Sequence, residues 1–325
     1  MADSPLMTDS PRSNGCLVRF IGRRRIRDGS LERVVMGLKA VLAPWLLLDL
    51  LRARRARRSW AECLLQLYSL GHPACAGALP RPLSARSGSV RFVCISDTHM
   101  QHGKLPPLPP GDILVHCGDF TNFGSLAEVK QFARWFGQQP HAVKIAVPGN
   151  HDMIMDEGYY DDYWGDWSSR KESHREAVVE FTSRGVRLLV DASMEVLDLR
   201  VHGSPWVPRY APWQTAFNRE VTAMEEVWRA VPTAVDVLLT HTPPRGRGDL
   251  EEGGRRAGCP YLARRVAELR PKLHVFGHVH SDYGLFPPGP DGADCTTSVN
   301  AACVSGGYFV GGRGAIAVDV PRSDG

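Results

Sequence analysis

Five short polar clusters, each closing an apolar run of β-forming residues, constrain this 325-residue chain more than anything else in it. The central one is Gly149-Asn150-His151-Asp152, which follows Val143-Lys144-Ile145-Ala146-Val147. Ser96-Asp97-Thr98-His99 and Gly118-Asp119 precede it; Thr240-His241 and Gly277-His278-Val279-His280 follow it. An open α/β sheet builds its sites at the carboxyl ends of its strands, so the pattern asks for strands whose ends converge. Singly, each cluster has a bland explanation: Gly-Asp and Gly-Asn are common turns, and a His in an apolar strand is usually hydrogen-bonded core. Together and in order, they make coincidence a poor explanation.

The runs between the clusters fit that demand. Short β-rich stretches are expected at Val90–Ile95, Asp112–His116, Lys144–Val147, Val186–Val190 and Val196–Val201. Others fall at Val235–Leu239, Lys272–Phe276, Ser298–Val304 and Ala315–Val320. Helical spacing marks Ser125–Phe136, Ser169–Ser183, Gln214–Ala230 and Tyr261–Leu269, with Ser125 and Glu128 forming a capping-box pattern. Tyr159–Trp167, aromatic and acidic, reads as a solvated insertion, and Gly203-Ser204-Pro205-Trp206 as a rim candidate. Strands alternating with helices, then strand-rich sequence, predict an α/β domain with two stacked sheets. Its expected span is 89–321, behind an N-terminal extension of 1–88.

Charge divides at the same boundary. Residues 1–89 hold 15 Lys+Arg against 6 Asp+Glu, whereas the remainder holds 24 against 29. A mildly acidic body is not the footprint of a nucleic-acid-binding catalytic domain, and no nucleic-acid partner is expected. The arm opens with a Ser-, Pro- and Arg-rich segment expected to be disordered. An apolar helical pattern follows at Ser30–Leu51, then an Arg-dense run, a short amphipathic piece at Trp60–Leu70 and a linker. A membrane span needs about 20 predominantly apolar residues, and Glu32, Arg33, Lys39, Pro44 and Asp49 interrupt this one. Two alternatives remain open. The helix lies on an acidic membrane surface or serves as an organelle address, or it packs on the main domain with its charges solvated. The eight cysteines form no CxxC pair, which favours a reduced, intracellular and cytoplasmic setting, with a peripheral membrane or organelle location as the alternative.

Asp97 and His99 stand two residues apart, as do His278 and His280, so in an extended strand end each pair shares one face. With Asp119, Asn150 and His241 they supply O and N donors and no thiolate, a set suited to divalent ions such as Mn, Fe or Zn. The donors exceed what one tetrahedral ion takes. They suffice for two ions roughly 3.5–4 Å apart sharing a carboxylate.

The ordered set DxH, GD, GNHD, a lone His and GHxH resembles the calcineurin-like metallophosphoesterases over roughly residues 90–320. The resemblance implies a four-layer α/β/β/α sandwich and a binuclear centre, Mn²⁺ foremost, with Fe, Zn, Mg or Co as alternatives. It implies one metal on Asp97, His99, Asp119 and His280, and a second on Asp119, Asn150, His241 and His278. It makes His151 the non-ligand histidine beside the scissile phosphate, with Asp152 either its orienting partner or a structural turn acceptor. Arg245, in the loop after His241, is a candidate for holding the distal part of a substrate, or else a solvated side chain.

Protein phosphatases of this superfamily continue GD as GDxxDRG, whereas this chain reads Gly118-Asp119-Phe120-Thr121-Asn122-Phe123-Gly124. Asn122 and Phe123 replace the acid and the arginine. GDFTNFG, GNHD and HGSPW are closer to the small metallophosphoesterase-domain-containing proteins, a subgroup associated with phosphodiester and nucleotide substrates. The expected function is therefore two-metal hydrolysis of small phosphodiesters or nucleotides. Phe120, Tyr159 and Trp206 are candidate rings to stack on a base. The alternatives are a phosphomonoesterase and a catalytically weak scaffold, and the intact ligand set favours an enzyme.

Overall fold

The computed structural model describes residues 88–210, 214–289, 295–306 and 309–322. The arm's basic segment and both of its helix predictions lie outside the described residues.

Two sheets carry the site. The first has five strands in the order β13-β1-β2-β3-β4: β1 (Ser89–Ile95), β2 (Ile113–Cys117), β3 (Val143–Val147), β4 (Val186–Leu188) and β13 (Ile316–Pro321). β1 to β4 run parallel, and β13 pairs antiparallel on β1. The second has six strands in the order β11-β12-β10-β9-β6-β5. They are β5 (Ala192–Val196), β6 (Leu199–Ser204), β9 (Val237–Thr240), β10 (Leu273–Phe276), β11 (Gly284–Phe286) and β12 (Thr297–Asn300). Its centre is parallel, with antiparallel β5 and β11 at the edges. A two-stranded ribbon, β7 (Val207–Pro208) with β8 (Asn218–Arg219), completes the set.

Period-2 alternation divides each strand between two cores. Phe92, Cys94, Val115 and Ile145 of the first sheet meet Val201, Leu239, Val275 and Val299 of the second in a dry layer between the sheets. Val93, Ile95, Leu114 and Ala146 point the other way, onto Phe132 and Phe136 of helix α1 (Leu126–Gly137) and Phe181 of α3 (His174–Thr182). Leu238, on the outer face of the second sheet, meets Trp228 of α4 (Met224–Arg229) and Leu262 of α5 (Pro260–Leu269). The layering is α/β/β/α, as the resemblance implies. Ser125 caps α1 with the full reciprocal box through Glu128.

Three local expectations are corrected. Tyr159–Trp167 is not a solvated loop but helix α2 (Glu157–Trp167), capped by Asp156 and anchored by buried Tyr159 and Tyr160. The single strand expected at Val196–Val201 is a hairpin turning at Leu197 and Asp198, both left-handed at φ 49° and 64°; neither residue carries the usual Asn-Gly signal of such a turn. The helix expected over Gln214–Ala230 shrinks to α4, because Asn218 and Arg219 pair into the ribbon.

Candidate metal centre

Every cluster emerges from the carboxyl end of a parallel strand: Asp97 after β1, Asp119 after β2, Asn150 after β3, His241 after β9 and His278 after β10. The two sheets are laced together at this end. Ser96 bridges Ala302, and the Cys303 amide donates to the Ser96 carbonyl at 2.8 Å. The Asp97 amide donates to the Gly118 carbonyl at 2.8 Å, and the Gly277 amide to the His241 carbonyl at 3.0 Å.

The predicted ligands meet in two groups that share Asp119. Asp97, His99, Asp119 and His280 place one donor atom each within 4.8 Å of one another, and Asp119, His241 and His278 do the same. Asn150 joins the second group through its Oδ1, 3.0 Å from Nε2 of His241. Asp119 Oδ2 lies 3.3 Å from His241 Nε2 and 3.7 Å from His99 Nε2. His280 Nε2 lies 3.2 Å from Asp97 Oδ1. Nδ1 of His241 donates to the Cys117 carbonyl at 2.8 Å, which fixes the tautomer and leaves Nε2 to ligate. Asp97, His99, Asp119 and His241 form a buried floor, while His151, His278 and His280 are partly buried.

The backbone is forced to serve this arrangement. Asp97, His99, Asp119 and His278 all take left-handed conformations, with φ between 40° and 66°. Such a conformation costs of order 1–3 kcal/mol for a residue with a Cβ and clusters at functional sites. Two glycines make room: a Cβ on Gly277 would lie 1.9 Å from Asp97 Oδ2, and one on Gly149 2.4 Å from Asp119 Oδ1.

Electrostatics agree with a cation site. Asp119 pairs with His99 and His241, and Asp97 pairs with His280. Burial pushes the Asp97 carboxyl up, but the His280 hydrogen bond and the neighbouring imidazoles outweigh it and hold the carboxyl at about 2. Burial alone would lower His241; the charge and hydrogen bond of Asp119 instead raise it to about 9. Burial, and the charge on His241, press His278 down to about 3. Two buried carboxylates thus favour the charged form of His241. Carboxylates, imidazoles and an amide oxygen, cradled by obligatory glycines, fit divalent ions.

His151 is not in either ligand group. Its ring packs edge-on against His99 with centroids 4.8 Å apart. Its Nδ1 donates to the Asn122 carbonyl at 2.9 Å, and its amide donates to Asp119 Oδ1 at 2.8 Å. The orienting group on the ring is therefore the Asn122 carbonyl and not Asp152. Asp152 is fully buried and accepts from the amides of Asp119 (2.9 Å), Gly149 (2.8 Å) and Thr121 (2.9 Å), and lies 2.7 Å from the Thr121 hydroxyl. It staples the loop after β2 to the loop after β3, the turn-acceptor reading of its sequence position.

Arg245 lies exposed in the loop after β9, its guanidinium 3.4 Å from the Arg256 carbonyl. Two of the three candidate stacking rings are corrected: Phe120 and Tyr159 are buried in the core between β-sheet and helices. Trp206 is half-buried, donates to Asp191 at 2.7 Å and carries Arg219 over its ring at 4.0 Å. Sequence reading missed the supports behind the ligands. Thr98 pairs with His116 at 3.0 Å and Thr240 with His274 at 2.9 Å, one pair beneath each sheet's ligands. Arg313 donates to the carbonyls of His280 and Val304. The Thr of each pair sits beside a ligand in sequence; the His lies one strand over, which sequence spacing does not reveal.

A two-sheet sandwich with an Asp/His cluster at its strand ends defines a metallophosphoesterase, and the chain belongs to the calcineurin-like phosphoesterase family, which it matches over residues 90–282. Among individual relatives, it is 35% identical over 246 residues to metallophosphoesterase domain-containing protein 1 of Homo sapiens, covering 73% of each chain. It is 36% identical to a UPF0046 protein of Caenorhabditis elegans, covering 66% of this chain and 75% of that one. A solved crystal structure at 17% identity shares the fold with a TM-score of 0.51, over 66% of this chain and 91% of the other.

Proposed function

We propose that the chain hydrolyses small phosphodiester or nucleotide substrates at a binuclear centre, with Asp119 shared between the ions and no covalent enzyme intermediate. The observation that carries this reading is the meeting of two ligand groups on one carboxylate. Bound divalent ions supply Lewis acidity toward phosphate oxygens and an acidified water. The protein's own residues supply the rest. Asp97, His99 and His280 on one side, and Asn150, His241 and His278 on the other, fix where phosphate oxygens can sit. His151 is held through Nδ1 by Asn122, so a proton gained on its ring resides on Nε2 and is the one delivered to the departing ester oxygen. The strained, glycine-backed loops hold these groups ready, so little reorganisation is needed as charge develops.

Preference for diesters is supported by Phe123, which stands where protein phosphatases carry an arginine. A diester brings one negative charge where a monoester brings two, and so needs less added cation. The test compares bis-nitrophenyl phosphate and cyclic nucleotides with nitrophenyl phosphate and a phosphopeptide, each with Mn²⁺. The highest kcat/KM is expected for a diester; a phosphopeptide equal to or above every diester overturns the preference. The basic arm is proposed to bring the domain to acidic membrane surfaces.

A further inference from the structure

The first ligand group joins the two sheets, with Asp97 at the end of β1 and His280 in the turn after β10. The 3.2 Å between Asp97 Oδ1 and His280 Nε2 is therefore set by whatever ties those two strand ends together. Both ends lead to Arg313. Its Nη1 donates to the carbonyl of His280 and, at 2.8 Å, to that of Val304. The Ala302 carbonyl lies 3.5 Å from the same nitrogen. Ala302 bridges Ser96, and the Cys303 amide donates to the Ser96 carbonyl; Asp97 is the next residue. One guanidinium thus grips the backbone of His280 directly and that of Asp97 through a single bridge.

The local sequence builds this reach. Gly311 and Gly312 stand at positive φ, 50° and 82°, in a turn closed by the Arg313 amide on the Val310 carbonyl at 2.8 Å. Two successive left-handed residues are what glycine supplies to a tight turn, and Arg313 sits at its exit. Tyr283 closes the grip from the other side. Its hydroxyl donates to the Gly314 carbonyl at 2.9 Å, and the Arg313 guanidinium lies 5.3 Å from its ring centroid. The Val279 carbonyl accepts from Asn300 at 2.8 Å, so two successive carbonyls of the turn carrying His278 and His280 are held by side chains. Asn300 and Arg313 both lie beyond residues 90–282, the stretch that matches the family.

Resting on the two-ion reading above, we propose that Arg313 is a positioning residue for the first metal, setting the bite between Asp97 and His280. His280 opens a single 3₁₀ turn, His280–Asp282, whose poorer hydrogen-bond geometry gives it little stiffness of its own. Metal–ligand distances tolerate only about ±0.2 Å, so the turn needs an outside brace. A guanidinium keeps its charge and its donors at any working pH. The second group hangs on other supports: His241 on the Cys117 carbonyl, and the Asn150 loop on Asp152 through the Gly149 amide.

Calorimetric titration of Mn²⁺ into the metal-free full-length protein reads this without turnover. Arg313→Ala is expected to weaken one of two binding phases on the order of 10–100-fold, the scale for partners that orient a ligand. Arg313→Lys, which keeps the charge but not the fork, is expected to weaken it less. Two ligand-deleted backgrounds identify the phase. In His280→Ala, which lacks the side chain that Arg313 positions, adding Arg313→Ala is expected to change nothing further. In His241→Ala, which cripples the second group, adding it is expected to have its full effect. Equal further losses in both backgrounds overturn the proposal, since the arginine would then support the fold at large. A loss confined to the His280→Ala background overturns it, as does wild-type binding of both ions by Arg313→Ala. Should Arg313→Ala fail to fold, Arg313→Lys is carried through the same two backgrounds and judged by the same outcomes. If the wild type takes up no Mn²⁺, the two-ion reading fails first and takes the brace with it. If both ions bind and no ester is hydrolysed, the phosphoesterase reading fails while the two backgrounds still decide the brace.

Discussion

Asp119 carries more of the site than any other residue. One oxygen faces His99 and His241, the other accepts the His151 amide, and its own backbone sits at φ 57°. Asp119→Asn keeps the shape and removes the charge, which would leave the two proposed cations less compensated at short range. Elemental analysis is expected to find fewer than two ions bound; full occupancy of both would refute the shared role. His151→Ala is expected to keep its metals and lose about 10²–10⁴-fold in rate, with the loss greatest for alkyl leaving groups and least for nitrophenolate. Metal loss, or an equal slowing of every ester, contradicts its assignment to the leaving group. The candidate donors were legible because their chemistry lies in residue type and order. The strain was not: nothing in Asp97, His99 or His278 as letters says that each turns left-handed. Nor does the neighbouring Asp152 announce that it holds loops while a carbonyl at position 122 holds His151.

Between elements, Asp152 is the joint, binding the loop after β2 to the loop after β3 from a fully buried position. Asp152→Ala strands the amides of Asp119, Thr121 and Gly149 without their acceptor. Each unsatisfied buried donor costs about 1–3 kcal/mol, so a loss of several kcal/mol is expected in urea unfolding, together with weaker Mn²⁺ binding. Asp152→Asn, which retains one acceptor oxygen, is expected to lose less. Equal stability of Asp152→Ala and wild type would show that water or a shifted loop takes over the role. The parallel strands were readable as apolar runs because both of their faces are covered. Helix α2 was misread because its aromatic stripe is interleaved with acids: Tyr160, Trp164 and Trp167 fall on one helical face against the core, between exposed Asp161, Asp162 and Asp166. The hairpin between β5 and β6 was missed because Leu197 is a poor turn former and the pair Leu197-Asp198 lacks the glycine of an Asn-Gly or Asp-Gly turn. Pairing of β6 with β9, a tertiary fact, imposes the register.

At the scale of the whole molecule, burying polar groups beneath the strand ends makes stability depend on pH. Burial pushes His116 and His274 down to about 3 from an ordinary value of 6.5. Below pH 6.5 the unfolded chain takes up protons that the folded chain refuses. Stability is therefore lost as pH falls from 6.5 toward 3, by up to ~1.4 kcal/mol per pH unit for each histidine. His274→Gln is expected to flatten the urea midpoint against pH over that window, and an unchanged slope would show that His274 is protonated in the fold. The domain's layering was legible from the alternation of strands and helices, whereas the role proposed for the arm rests on charge alone. Among the described residues, no helix is long and apolar enough to cross a membrane. Attachment through the basic arm is proposed on its charge, and is predicted to be electrostatic in its first step. The arm's excess of Lys and Arg would be drawn to anionic lipid at about 1 kcal/mol per basic residue near the surface, falling off within a Debye length. The full chain is therefore expected to co-sediment with phosphatidylserine-containing vesicles at low salt and to be released as salt rises, while a fragment starting near Ser89 stays in solution. Binding that ignores salt, or that the shortened fragment shares, would move the contact off the arm.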